Sequence, residues 1–188
     1  KKAMKLKMLS ILVTGISLLI VSYAHAAGEV NVYSARKEKL IKPLLEKFTA
    51  KTGIKTNLIT AKADKLLTRL NNEGRNSPAD LFITVDAGRL HRAKEKGVLQ
   101  SITSDELNKA VPSHLRDPDS QWFSLSQRSR VIFYVKDRVK AEELSSYEDL
   151  ADPKWKKRIC IRGSSNIYNQ SLVASLIASN GEQATEAW

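Results

Sequence analysis

Ala79-Asp80-Leu81-Phe82-Ile83-Thr84-Val85, running into Asp86-Ala87-Gly88, is the stretch that decides the fold. It follows the turn signal Asn76-Ser77-Pro78 and is almost unbroken in apolar, β-prone character. Such a run predicts a central parallel strand covered on both faces, opening at its carboxyl end into a polar loop. A helix is expected from about residue 89 to 96, closed by Gly97, a favoured residue just past a helix end. Upstream, Val30-Asn31-Val32-Tyr33-Ser34 is a short β-rich run, followed by a helical pattern through Leu40, Ile41, Leu44, Leu45 and Phe48. Thr52-Gly53 stops that helix, residues 54–60 read as a second strand, and Leu66, Leu67 and Leu70 mark a second helix. Strand and helix thus alternate through the first hundred residues, which argues for an α/β domain with a largely parallel sheet. In such sheets ligands bind in the crevice at the carboxyl ends of the strands.

The opening of the chain has a different character. Lys1, Lys2, Lys5 and Lys7 precede an apolar run over residues 8–23, and Ala24-His25-Ala26 forms a small-x-small site. That order is a secretory signal peptide, expected over residues 1–26. Ser10, Thr14, Gly15 and Ser17 interrupt the run, which is short for the roughly 20 apolar residues of a spanning helix. The first residue is Lys, so Met4 or Met8 is the expected initiator, and fold reasoning begins near Ala27.

The remaining length suits one ordinary domain with a sizeable core. The formal net charge is +11, or +7 once the four lysines of the leader are set aside. Lysines and arginines are interspersed with acids, as in Arg36-Lys37-Glu38-Lys39, so they read as solvated helix faces and not as a nucleic-acid stripe. Cys160 is the only cysteine, which excludes an internal disulfide; between Ile159 and Ile161 it is expected as a buried strand residue. Both methionines lie in the leader, which excludes a Met-rich copper site.

Beyond residue 122 the pattern lengthens into β-type segments without an intervening helix: Phe123, Leu125, then Val131-Ile132-Phe133-Tyr134-Val135. Such segments are expected to carry the chain across to a second lobe. A short helix start at residues 147–151, a turn at Asp152-Pro153 and a strand over residues 158–162 follow. A helix over residues 169–180, with Leu172, Val173, Leu176 and Ile177 apolar, ends at Gly181, and residues 182–188 begin another.

Several segments together resemble the ferric-iron-binding periplasmic proteins of bacterial ABC importers. They are Val32-Tyr33-Ser34-Ala35-Arg36, Thr52-Gly53-Ile54-Lys55, and Ser77-Pro78-Ala79-Asp80 running into Thr84-Val85-Asp86. Tyr147-Glu148-Asp149-Leu150-Ala151-Asp152-Pro153-Lys154-Trp155-Lys156 and Ser164-Ser165-Asn166-Ile167-Tyr168-Asn169-Gln170-Ser171 continue the likeness in the same order. The resemblance implies an α/β, type II periplasmic-binding-protein (Venus-flytrap) fold: two lobes, β-strand hinges, and a cleft that closes on its ligand. It places a first lobe at residues 27–130 and the start of a second at 131–188, and implies a chain about twice the mature length, so that the sequence reads as truncated. It further implies periplasmic localisation, delivery of cargo to an inner-membrane ABC permease, no enzyme activity, no nucleic acid, and action as a monomer.

Ferric ion is hard and trivalent, and favours anionic oxygen ligands. A tyrosine phenol, ordinarily protonated to about pH 10, loses its proton to such a cation. The family uses several tyrosines; its Asn-x-Tyr-Asn-Gln-type motif maps onto Tyr168, the expected metal ligand here. The family's adjacent tyrosine pair has no counterpart, and Lys37 and Glu38 stand where some members have His or His-Tyr. Family sites often add a carbonate-like synergistic anion, for which Arg36 is the first candidate because guanidinium offers a bidentate fork. Arg130, Ser164, Ser165 and Asn166 are further candidates, Tyr33 is expected to be structural, and His91 and His114 lack a spaced partner.

Three competing readings stand beside this one. A binder of another solute, a polyamine or an oxyanion, shares the fold; a polyamine would want acidic and aromatic residues that these basic loops lack. An exported hydrolase would want a Gly-x-Ser-x-Gly elbow or His-Glu-x-x-His, and neither is present. The third is a nucleic-acid binder suggested by the basic charge, against which the export signal argues; without the missing remainder the product would instead be a non-binding truncated fragment with exposed apolar surface.

Overall fold

The structure is a computed structural model and describes residues 28–188, so the expected signal peptide lies outside the described residues. Strand β1 (Glu29–Ser34) leads to helix α1 (Glu38–Thr52), β2 (Lys55–Thr60), α2 (Ala63–Glu73), β3 (Leu81–Ile83) and α3 (Ala87–Glu95). The three strands form one parallel sheet in the order β2-β1-β3, with Val32 opposite both Leu58 and Leu81.

β1 occupies the middle, and its alternating side chains feed two cores. On one face Val32 packs with Ile41 and Leu45 of α1; on the other Tyr33 packs with Leu66 and Leu70 of α2. Val32, Tyr33 and Ser34 are essentially inaccessible, as a central strand covered by a helix on each face requires. Gly53 (φ 72°) ends α1 in the left-handed conformation that glycine adopts without a Cβ penalty.

The strand that decides the fold differs from expectation. β3 keeps only three paired residues and forms an edge of the sheet, with Leu81 exposed. Pairing ends where the Ala35 N–H donates to the Ile83 carbonyl (2.7 Å), after which the backbone turns away through Asp86 at φ 75°.

Downstream the chain forms α4 (Asp105–Ala110), α5 (Ile167–Asn180) and α6 (Glu182–Ala187), with 3-10 turns at Glu148–Ala151 and Pro153–Trp155. α4 was not expected, although Ser104 is a recognisable cap, accepting from the Leu107 N–H at 3.2 Å. The β-type segment of residues 122–135 makes no strand; its pairing reduces to one antiparallel bridge, Arg116 with Phe123. Residues 158–162 likewise lie outside any strand, and Cys160 is exposed where a buried strand residue was expected. The cause is common to both: β-propensity becomes a strand only when a neighbouring strand continues its backbone hydrogen bonds, and among the described residues the first segment has only the bridge at Phe123 and the second has none. No helix among the described residues is long and apolar enough to cross a membrane.

Candidate functional site

β1 and β3 are neighbours in the strand order 2-1-3, and in parallel α/β sheets ligands bind in a crevice at the carboxyl ends of the strands. Arg36 follows β1 and Asp86 follows β3, so both stand at that crevice. Arg36 is half-buried, its N–H donating to Ser34 Oγ at 3.1 Å. It shares one open cleft with Asp86, Arg128, Arg130, Arg162 and Tyr168.

Tyr168 is the second residue of α5. Asn166 caps that helix, its Oδ1 accepting from the Tyr168 N–H at 3.0 Å, and the cap holds the tyrosine on the first turn. Four guanidinium groups surround the half-buried ring: Arg162 at 5.5 Å, Arg128 at 5.7 Å, Arg130 at 5.8 Å and Arg89 at 6.0 Å from its centroid. Arg128 Nη2 also donates to the phenol oxygen at 3.3 Å. Each such contact is worth about 0.5–1 kcal/mol at an exposed site, whereas four like charges repel one another. An anion placed among them removes the repulsion, so the cage is electrostatically suited to negative charge.

Acidic groups touch only its border. Arg130 lies 3.8 Å from Asp86 and Arg89 4.0 Å from Asp64, while Arg128 and Arg162 form no salt bridge among the described residues. Asp86 is nine-tenths buried at its side chain and caps α3, accepting from the Gly88 N–H at 3.0 Å and from Ser171 Oγ at 2.7 Å. Its backbone (φ 75°, ψ 128°) costs a non-glycine residue about 1–3 kcal/mol, strain of a kind that clusters at functional sites. Thr84 Oγ1 and Asn169 Oδ1, both on cleft-lining residues, are buried without hydrogen-bond partners.

Of the residues expected from the sequence, the structure brings Tyr168, Arg36 and Arg130 to this cleft. Ser164 and Ser165 are exposed and, like Asn166, do not line it; the side chain of Asn166 is engaged in capping α5. Tyr33 is internal, its hydroxyl donating to Glu73 at 2.9 Å beneath the Arg69 guanidinium. Sequence reasoning missed Arg89, Arg128, Arg162 and Asp86. The alternation Arg128-Ser129-Arg130 carried a signal, since residues two apart in extended backbone share a side. Arg89 and Arg162 are distant in sequence and are joined only by the fold. Among the described residues no three His, Cys, Asp or Glu side chains converge to hold a metal ion.

A family model described as "Bacterial extracellular solute-binding protein" matches residues 76–188. The chain belongs to that family. Within this solute-binding family, it is 57% identical over 160 residues to "Iron uptake protein A1" of Synechocystis, covering 85% of this chain and 44% of that protein. A solved Trichodesmium protein, described as IdiA or FutA in complex with iron and citrate ligands, aligns with a TM-score of 0.81 and 55% identity. That alignment covers 86% of this chain and 51% of the other. The ferric binding protein of Campylobacter jejuni aligns with a TM-score of 0.77 and 42% identity, covering 85% and 51%. These solute-binding relatives give the chain the type II periplasmic-binding-protein fold. The chain spans about half the length of the curated relatives it matches.

Proposed function

We propose that the chain is part of the periplasmic solute-binding component of an iron ABC importer, taking ferric iron in the cleft and delivering it to an inner-membrane permease. The observation that carries this reading is Tyr168 on the first turn of α5, its phenol turned into a cage of four arginines. Ferric iron displaces the phenol proton and takes the resulting phenolate as a ligand. The neighbouring guanidiniums oppose the metal: a unit charge ~6 Å from a trivalent ion is repelled by on the order of 2 kcal/mol even at water's dielectric. Iron therefore enters this cleft together with anionic charge, a carbonate-like or carboxylate anion held by Arg130 and Arg36. Arg128 and Arg162 join them in that role. The names of the relatives support the cargo, since they describe iron uptake and ferric binding. The protein acts by binding and release, as a monomer, without catalysing a reaction.

Titration with ferric citrate is expected to raise a visible tyrosinate-to-iron charge-transfer band that is lost in Tyr168→Phe. A colourless wild-type protein at saturating ferric citrate would refute the iron reading. Because binding releases a phenol proton, apparent affinity is expected to weaken as pH falls.

The arginine cage specifically favours a second reading, a binder of free oxyanions or polycarboxylates. Calorimetry with citrate followed by ferric iron separates the two: heat from citrate with no charge-transfer band when iron is added supports the oxyanion binder.

A further inference from the structure

Helices α3 and α5 come from distant parts of the chain, yet they meet at one point beside Tyr168. Gly88 on α3 allows the approach: a Cβ there would stand 2.9 Å from Ile167 Cδ1. Arg92 Nη2 donates to Gln170 Oε1 at 2.6 Å one turn further along. At the junction sits Asp86, whose Oδ1 is shared between the α3 cap and Ser171 Oγ while its Oδ2 faces Arg130. Ile167, Tyr168, Gln170 and Ser171 all belong to the first turns of α5, so any shift of that end relative to α3 moves the phenol. Arg130 approaches both the Asp86 carboxylate, at 3.8 Å, and the Tyr168 ring, at 5.8 Å, so the same carboxylate restrains this guanidinium beside the phenol.

We propose that Asp86 is a positioning residue for the cargo site, strapping the first turn of α5 to α3 through Ser171 and restraining Arg130, and so setting the aim of Tyr168. A carboxylate fits both tasks because it accepts two hydrogen bonds on one oxygen and keeps a charge for the arginine on the other. The strained Asp86 backbone is consistent with a residue retained for the direction of its side chain. The inference rests on Tyr168 as the cargo ligand, and its test separates the two ideas.

Asp86→Asn keeps both acceptor bonds and removes the charge facing Arg130; Ser171→Ala keeps the charge and removes the strap. With 13C-labelled tyrosine in the full chain, the Tyr168 ring resonance, assigned by its loss in Tyr168→Phe, is expected to shift in both variants. The Tyr33 resonance, across the fold, is expected to stay. In ferric nitrilotriacetate titrations both variants are expected to bind about tenfold more weakly or worse, the scale of a lost charged hydrogen bond. The thermal midpoint of Ser171→Ala is expected a few degrees below the parent's, and binding is measured well below that midpoint, so that weaker binding there is not partial unfolding. A Tyr168 resonance unmoved in both variants, or iron binding equal to the parent's in both, overturns the proposal. If the parent itself binds no iron, the cargo reading fails while the ring resonance still decides the positioning role. If Asp86→Asn does not fold, Ser171→Ala decides alone.

Discussion

Asp117 is only 4% exposed and carries a charge, so its partners decide whether it is tolerated. Burial alone would raise its carboxyl, but Lys94 Nζ at 2.8 Å and the N–H groups of Gln121 and Asp119 outweigh burial and hold it below the usual range. Lys94 is raised in turn, by its bond to Asp117 and then by that to Asp119. Glu73 is lowered by Ser77 first, then by Arg69, with Tyr33 as a third donor. The sign follows from proton binding: a lowered carboxyl binds protons more readily when unfolded. Its stabilisation is present above about pH 4, the ordinary carboxylate value, and is lost as pH falls through the lowered folded value. Thermal unfolding followed by circular dichroism is therefore expected to show a midpoint falling steeply below about pH 4. Lys94→Met should lower the midpoint at neutral pH, because it leaves Asp117 buried beside two backbone donors alone, and should flatten the acid slope.

At the scale of elements, α2 is the helix whose apolar face is most completely used. Leu66 is 1% exposed, and Leu67 and Leu70 are buried with it. Leu66→Ala is expected to cost about 2–5 kcal/mol, read from denaturant midpoints at unchanged slope. Gly53→Ala forces a Cβ into left-handed backbone and should cost about 1–2 kcal/mol although nothing crowds the site. Elements of this kind were legible beforehand because helical periodicity, the β-rich run around Val32 and the glycine stops are all local. In α1 the same pattern overstated burial: Ile41 and Leu45 are covered, while Leu40, Leu44 and Phe48 are exposed. The segments at 122–135 and 158–162 carry β-propensity as clear as that of β1. They differ from it in lacking a neighbouring strand that pairs along their length, a non-local property that no window of sequence contains.

For the whole molecule, the consequence is an apolar surface around the cleft. Phe133 is 91% exposed, Leu125 74%, and Val131, Val135 and Ile161 are more than half exposed. Contiguous apolar surface of this sort binds hydrophobic dyes and promotes association. Phe133→Ser is expected to reduce dye fluorescence with little change in thermal midpoint, since a side chain so exposed contributes little packing; unchanged fluorescence would count against that surface being accessible in solution.

The sequence by itself determined the α/β alternation and the solute-binding family, because each is written in contiguous residues: periodicity, stops, and motifs in order. It also singled out Tyr168, Arg36 and Arg130 as site candidates. Only the tertiary structure decided that β1 and not β3 is the central strand, that Arg89, Arg128 and Arg162 join Arg130 around one phenol, and that Asp86 ties α3 to α5. These depend on which distant segments pair and pack. Hydrogen-bond partners and charge neighbours are properties of space, and a linear pattern specifies them only after the chain has closed on itself.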